Sequence, residues 1–173
     1  MRYFHGFSLR GEEKFLSDYL VEGDLCVAGF SYGAQQALEY TYRSQERIDR
    51  LVLLSPAFFQ TEKPTFIRTQ LRYFTAGKEA YVRQFLANVA YPGEEDLTPC
   101  LHTGSEEELR RLLSYRWEYE KIETILKRGT VIEVFLGEKD TIIDSASAYC
   151  FFKHHTITYW IKGAGHLLLR ENR

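Results

Sequence analysis

A serine between two glycines is the residue of this sequence with the clearest potential for chemistry. Residues 29–33 read Gly-Phe-Ser-Tyr-Gly and follow an apolar run at residues 25–28. A strand that enters this pentapeptide and leaves it as a helix makes a sharp, strained turn, which exposes the serine hydroxyl above the strand end. Gly29 and Gly33 suit such a turn because larger side chains at these positions would collide with it. The pattern predicts Ser31 as a nucleophile.

A serine hydroxyl is a weak nucleophile, so Ser31 requires a histidine as general base. Of the five histidines, His166 has the most suitable setting, because it follows a strand pattern in a Gly-Ala-Gly-His loop. Small residues there allow the ring to approach a neighbouring strand end. His154 and His155 open a strand pattern, and His102 has no partner that the sequence identifies. We therefore predict His166 as the base.

The base requires an acid that fixes its tautomer and stabilises the imidazolium. Asp140 follows the strand pattern at residues 130–136 and is the first candidate; Asp144 and Glu138 are its rivals. With Asp140, all three groups fall at the carboxyl ends of predicted strands, where parallel sheets place their sites. Asp144 lies one helical turn further on, where a helix-surface carboxylate is the simpler interpretation.

Cleavage of an acyl bond also requires hydrogen-bond donors for the oxyanion. The backbone N–H of Tyr32, directly after the nucleophile, is the first expected donor. The second is expected from the loop after the first strand, which reads His5-Gly6-Phe7-Ser8, and we predict the N–H of Phe7 for this role.

The surrounding elements alternate between strand and helix patterns. Strands are predicted at residues 3–4, 25–28, 51–54, 130–136 and 156–161, and helices at 11–20, 32–43 and 142–152. Residues 57–128 carry only helical patterns. We expect a single domain over residues 1–173, an α/β fold with about five mostly parallel strands and a helical insertion. If the strand order is monotonic, right-handed crossovers place most helices on one face, and the insertion or a second copy would cover the other.

Composition narrows the function classes further. The 173 residues are 45% hydrophobic with a formal charge of −2, which is ordinary for a globular protein and argues against a dedicated nucleic-acid binder. No run approaches the roughly 20 apolar residues of a membrane span. Cys26, Cys100 and Cys150 form neither a disulfide framework nor a metal-binding spacing, so we expect reduced thiols in a cytoplasmic protein and no metal.

Four segments together resemble the α/β-hydrolase superfamily across nearly the whole chain: His5-Gly6-Phe7, residues 29–33, Gly137-x-x-Asp140 and Gly163-Ala164-Gly165-His166. Their Ser–Asp–His order is that of the superfamily. A closer resemblance is to pimeloyl-[acyl-carrier protein] methyl ester esterases, particularly the short BioV type. It rests on the early His-Gly strand and on residues 54–58 and 132–140. The sequence departs from the fuller pattern by lacking early strands and a final helix.

This resemblance implies an activity. Members of that family cleave the methyl ester of a pimeloyl chain on acyl carrier protein, releasing methanol and a product that feeds biotin synthesis. It implies Ser31 as nucleophile, His166 as base and then acid, Asp140 as orienting acid, and Phe7 and Tyr32 as oxyanion donors. It implies no metal or organic cofactor. Acyl carrier protein is the expected partner.

The insertion contributes two further expectations. Its many aromatic residues suggest a lid over an aliphatic acyl chain, although most can equally form a small helical core. Arg68 and Arg72 are spaced i, i+4 on one helix face and could orient an acidic carrier protein. A solvated helix face is the alternative. Arg110 and Arg111 belong to a second candidate patch, which neighbouring glutamates dilute.

Two other functions remain open at this point. A generalist carboxylesterase or thioesterase would use the same triad, since fold does not fix substrate. A shortened remnant that binds acyl carrier protein without catalysis is a second alternative. The retention of all three triad residue types argues against the remnant.

Overall fold

A computed structural model describes residues 1–171 of the chain. Its centre is a five-stranded sheet in the order β1-β2-β3-β4-β5, with every neighbouring pair parallel. The strands are β1 (Arg2–Phe4), β2 (Cys26–Phe30), β3 (Arg50–Leu54), β4 (Val131–Gly137) and β5 (Ile157–Ile161). The predicted α/β class, with about five mostly parallel strands, is confirmed, and the strand order is the monotonic one.

Strand β2 and residues 51–54 of β3 are apolar because both of their faces are covered. Every residue of β2 is buried, and residues 51–54 of β3 are fully enclosed. Helix α1 (Tyr32–Arg43) crosses over β1, β2 and β3, and a short helix before β5 (Ser145–Phe152) packs on β4 and β5. Helix packing on the sheet therefore fixes the ends of β2 and β4.

The insertion between β3 and β4 is helical, as the sequence patterns predict. It contains α2 (Pro64–Ala76), α3 (Lys78–Ala90), α4 (Glu106–Ser114) and α5 (Tyr119–Lys127), so the helix before β5 is α6. The predicted capping box begins α4, where Ser105 and Glu108 exchange side-chain and backbone hydrogen bonds. Among residues 1–171, no helix has both the length and the apolarity that crossing a membrane requires.

The helix predicted at residues 11–20 is wrong. The structure has two short 3-10 turns there, Glu12–Phe15 and Ser17–Tyr19, separated by a non-helical Leu16. The amphipathic pattern fails because Glu12 turns inward and is fully buried instead of lying on an exposed helix face. These turns cover only part of their face of the sheet.

The outer part of that face remains open beside β4 and β5. Tyr19 packs on Phe135, and Phe135 stacks on Tyr159, but Tyr159 and Ile157 are themselves exposed. Val131 at the start of β4 is also exposed. The insertion therefore does not cover this part of the sheet.

Candidate active site

Ser31 lies in the turn between β2 and α1, in a conformation that only a tight turn imposes. Its φ of 53° and ψ of −111° lie outside the regions that non-glycine residues favour. The turn is held by the Ser31 N–H, which donates to the Leu54 carbonyl at 2.9 Å. A Cβ on Gly29 would overlap the Gly33 carbonyl, and one on Gly33 would overlap the Phe4 carbonyl. The glycines allow this close approach, which aims the serine side chain at the strand ends.

Three side chains that are far apart in sequence are hydrogen-bonded in series. The Ser31 Oγ lies 2.9 Å from His166 Nε2, and His166 Nδ1 lies 2.6 Å from Asp140 Oδ2. A carboxylate can only accept, so Nδ1 carries the hydrogen and Nε2 is free to accept the serine proton. The His166 and Asp140 side chains are fully buried, and Ser31 is 1% exposed. This is the arrangement that activates a serine hydroxyl.

Asp140 and its rival Asp144 make different hydrogen bonds. The Asp140 Oδ1 accepts the N–H groups of Ile142 and Ile143, at 2.7 and 3.1 Å, which fixes the carboxyl plane and leaves Oδ2 for the histidine. Asp144 is the N-cap of α6, where bonds from the Ser147 side chain and N–H lower the pKa of its carboxyl. This cap delays the helix that was predicted from residue 142 until Ser145.

The second rival, Glu138, accepts the N–H of Gly163 at 2.9 Å. This bond joins the loop after β4 to the loop after β5, the two loops that carry the acid and the histidine. Glu138 is exposed, and among residues 1–171 its carboxylate makes no hydrogen bond to His166. Its role in the structure is therefore to connect the loops.

Sequence reasoning missed one residue that holds the histidine. Ser55, at the end of β3, is fully buried with a φ of 40°, and its hydroxyl donates to the His166 carbonyl at 2.6 Å. Its N–H donates to the Phe135 carbonyl at 2.8 Å. Ser55 thus links β3, β4 and the histidine loop. A strand that ends in Ser-Pro, with the proline closing the strand, was the only available sign of a special turn.

The two predicted oxyanion donors are backbone N–H groups, one of them directly after Ser31 and the other in the loop after the neighbouring strand β1. Within residues 1–171, the N–H groups of Phe7 and Tyr32 donate to no protein acceptor. Tyr32 is the first residue of α1, and its N–H is one of the unpaired donors that every helix start presents. Phe7 is buried in the loop after β1. Two N–H groups without a protein acceptor, one after β1 and one after β2, are of the kind that can donate hydrogen bonds to a developing oxyanion.

A cavity of about 340 Å³ lies beneath the insertion helices beside this site. Its lining includes two neighbours of the site, Phe7 and Ile142, and the Ile142 N–H donates to Asp140; Ser31, His166 and Asp140 do not themselves line it. The remaining lining is aromatic, aliphatic or neutral polar: Phe59, Phe66, Gln70, Tyr73, Tyr81, Gln84, Phe85, Asn88, Leu109, Leu112, Leu113 and Thr141. Burial raises the pKa of Tyr81 to about 12, so its hydroxyl stays protonated. Within the part of the chain that the structure describes, the cavity lining therefore presents no charged side chain to a ligand.

One cluster has the residue types of a metal site. The ligand atoms of His5, Glu12 and Glu13 lie within 4.8 Å of one another. Both carboxyl oxygens of Glu12 already accept hydrogen bonds from groups of the loop after β1. The cluster consequently serves the protein's own donors.

The two arginines predicted to meet a carrier protein lie on α2. Arg68 and Arg72 are exposed, and within residues 1–171 neither guanidinium lies in an ion pair. The arginines of α4 differ, because Arg110 and Arg111 each bond a glutamate one turn earlier at 2.9 Å. Among residues 1–171, the positive charges of Arg68 and Arg72 are therefore not offset by an ion pair, whereas those of Arg110 and Arg111 are offset by glutamates on the same helix.

Comparisons with known proteins identify the fold. The chain resembles a hydrolase from Bacillus subtilis (21% identity over 85% of this chain and 55% of that one, TM-score 0.55) and the naproxen esterase of Bacillus subtilis (21%, 83% and 53%, 0.55). It also resembles E-2-(acetamidomethylene)succinate hydrolase (13% identity, 96% and 84%, 0.59). The chain spans about half the length of the two Bacillus proteins.

No family model matches the chain, and no curated protein does. At these sequence identities, the similarity to solved structures shows the fold and does not identify a substrate. Five parallel strands, a helical insertion after the third strand and the match to these hydrolases together define a reduced α/β-hydrolase fold.

Proposed function

We propose that this protein is a serine carboxylesterase that hydrolyses the methyl ester of pimeloyl-[acyl-carrier protein] to pimeloyl-[acyl-carrier protein] and methanol, a step in biotin synthesis. The observation that carries the reaction class is the hydrogen-bonded series from Ser31 through His166 to Asp140, at 2.9 and 2.6 Å. The substrate rests on the sequence resemblance, the uncharged cavity and the free arginines of α2.

The geometry supports a two-step acyl transfer. The Ser31 oxygen attacks the ester carbonyl as His166 Nε2 takes its proton, and Asp140 stabilises the imidazolium. The N–H groups of Phe7 and Tyr32 donate to the resulting oxyanion. As the tetrahedral intermediate collapses, the histidine returns the proton to the methoxy oxygen and methanol leaves. Water, deprotonated by the same histidine, then releases the acid from Ser31.

The cavity suits an uncharged aliphatic chain. Aromatic and leucine side chains enclose most of it, and its polar groups are neutral amides and hydroxyls. A free carboxylate entering this space would lose its hydration without gaining a cation, which is strongly unfavourable. A chain whose distal carboxyl is masked as a methyl ester avoids this cost.

Arg68 and Arg72 support a carrier-bound substrate. Acyl carrier proteins are acidic, and complementary charge orients an encounter and raises its rate. The two side chains are exposed and share one face of α2. Among residues 1–171, neither forms an ion pair with a carboxylate, so both can bind an acidic surface.

A generalist carboxylesterase is the second candidate, because a neutral apolar cavity accepts many esters. Thioesters are open to the same nucleophile. The intact hydrogen-bonded series argues against a non-catalytic remnant.

Mass spectrometry of synthetic carrier esters tests the proposal. Incubation with pimeloyl-carrier methyl ester should lower the carrier mass by one CH₂ unit, faster than for the esters of shorter diacids. The Ser31→Ala protein should leave the mass unchanged. Equal rates on all acyl chains would favour the generalist. Absence of hydrolysis, together with no fluorophosphonate labelling of the folded protein, would refute an esterase.

A further inference from the structure

A buried glutamate contacts the loop that carries the proposed oxyanion donor. Glu12 lies in the first 3-10 turn and is 0% exposed. Its Oε1 accepts the N–H of Gly6 at 2.7 Å and the Tyr3 hydroxyl at 3.4 Å, and its Oε2 lies 3.0 Å from His5 Nδ1. Fully buried glutamates are rare unless paired. The reaction as proposed above assigns this carboxylate no role.

The contacts of Glu12 constrain the peptide that bears the donor. Glu12 holds the nitrogen of Gly6, and the Leu9 N–H holds the carbonyl oxygen of Gly6 at 3.2 Å. The next peptide group is planar and trans, so its N–H, which belongs to Phe7, points opposite to that carbonyl. With both ends of Gly6 fixed, the direction of the Phe7 N–H is fixed as well.

The strength of this constraint depends on the charge of the carboxylate. Hydrogen bonds to an ionised acceptor are about twice as strong as neutral ones. The buried Glu12 carboxylate bonds a backbone N–H and a histidine ring at once, and this favours one conformation of the loop over others. The same loop is held from the outside by the insertion, through bonds from the His102 and Gly104 N–H groups to Ser8.

We propose that Glu12 is a positioning residue, which aims the Phe7 N–H at the oxyanion through its bond to Gly6. This inference rests on the proposed esterase function. A purely structural role for Glu12 would alter stability and leave the ratio of transition-state to ground-state binding unchanged. The two roles therefore predict different kinetics.

The test compares Glu12→Gln with Asp18→Asn, which changes an exposed carboxylate of the second 3-10 turn. Both are assayed with p-nitrophenyl butyrate and with a trifluoromethyl ketone. In the ketone complex, the Ser31 oxygen bonds the ketone carbon, its proton moves to His166 and the ketone oxygen becomes the oxyanion. For Glu12→Gln we expect kcat to fall about 10- to 100-fold, KM to stay within about twofold, and the ketone Ki to rise as kcat falls. Asp18→Asn should match the wild type.

Two-dimensional NMR of the amide protons separates this inference from the esterase proposal. Glu12→Gln should shift the Gly6 and Phe7 amide signals, and Asp18→Asn should leave them in place. If the signals shift but the wild type hydrolyses no ester, the esterase proposal fails and the loop constraint stands.

Unmoved signals, or an active Glu12→Gln protein with unchanged kcat and Ki, would overturn the positioning role. A lowered melting temperature with unchanged kcat would make Glu12 merely structural. If Glu12→Gln does not fold, Glu12→Asp keeps the charge but retracts it by one methylene. Folded Glu12→Asp should show the same fall in kcat at constant KM, and wild-type kinetics for it would overturn the role.

Discussion

The carboxyl edge of the sheet and the helical insertion hold their polar side chains in opposite ways. At the edge, the side chains of Ser31, His166 and Asp140 are buried and hydrogen-bonded in series, and Asp140 is held further by two backbone N–H groups. On α2 of the insertion, Arg68 and Arg72 are exposed and pair with no carboxylate among residues 1–171. The same chain therefore combines a buried, hydrogen-bonded set of polar side chains with an exposed set of surface charges.

The contrast follows from what each set would have to do. Reacting groups contribute to rate only in a near-attack geometry, where an error of about 1 Å can cost about 100-fold. Surface charges act over a Debye length of about 8 Å at physiological salt and need no fixed geometry. Substitutions at the sheet edge should therefore alter kcat on every ester, and substitutions on α2 should alter only the encounter with a charged partner.

The largest effect is expected from the nucleophile and its base. Ser31→Ala and His166→Ala should each lower kcat on a small ester by about a millionfold, and the double variant should lose no more, because the residues act as one unit. Single-turnover assays with p-nitrophenyl butyrate measure this. Additive losses in the double variant would show that the two side chains work independently.

Asp140→Asn should cost about 10⁴-fold in kcat, because the amide donates to Nδ1 and imposes the wrong imidazole tautomer. The matched control is Asp144→Asn, which should leave kcat unchanged and stability close to the wild-type value, because Asn caps a helix about as well as Asp. Urea unfolding and ester kinetics on both proteins measure the two quantities. A crippled Asp144→Asn beside an active Asp140→Asn would reverse the assignment of the acid.

How far the sequence predicts this edge depends on how local each feature is. The turn around Ser31 is encoded within five residues, Gly29 to Gly33, and the structure has it where the pattern predicts. The choice between Asp140 and Asp144 is not local, because both follow the same strand. It depends on which carboxyl reaches a histidine 26 residues from Asp140, at the end of another strand. Sequence spacing ranks these candidates, and only the fold separates them.

The two failures of prediction have related causes. The sequence at residues 11–20 has an amphipathic pattern, but the structure has two short turns there instead of one helix. The pattern places Glu12 on an exposed face, whereas the structure buries it. Ser55 gave no signal as a contact of the histidine loop, because its partner is a backbone carbonyl 111 residues away. Buried polar groups that bond distant backbone leave no periodicity in a sequence.

Ser55→Ala sharpens the comparison at an intermediate level. Losing the hydroxyl leaves the buried His166 carbonyl without this donor, a cost of about 1–3 kcal/mol in stability. The histidine loop also loses its link to β3, so we expect kcat to fall about tenfold at constant KM. Thermal unfolding and small-ester kinetics measure both. Ser44→Ala, at the far end of α1, is the control and should leave kcat unchanged.

The smallest and most selective effect is expected on α2. Reversing both charges, with Arg68→Glu and Arg72→Glu together, should raise KM for a carrier-bound ester about tenfold at low salt, and high salt should erase the difference. The matched control reverses Arg110 and Arg111, whose charges are already paired on α4. That control should leave KM for the carrier-bound ester near the wild-type value.

A small soluble ester separates docking from catalysis in the same proteins. It has no carrier to meet, so kcat and KM for p-nitrophenyl butyrate should be the same in the α2 variant and the wild type. If the α2 variant lost activity on both substrates, the arginines would act through the packing of the insertion over the cavity. If the α2 and α4 variants behaved alike on the carrier-bound ester, net charge alone would explain the effect. A loss confined to the carrier-bound ester and to α2 is the result that only a docking surface on that helix produces.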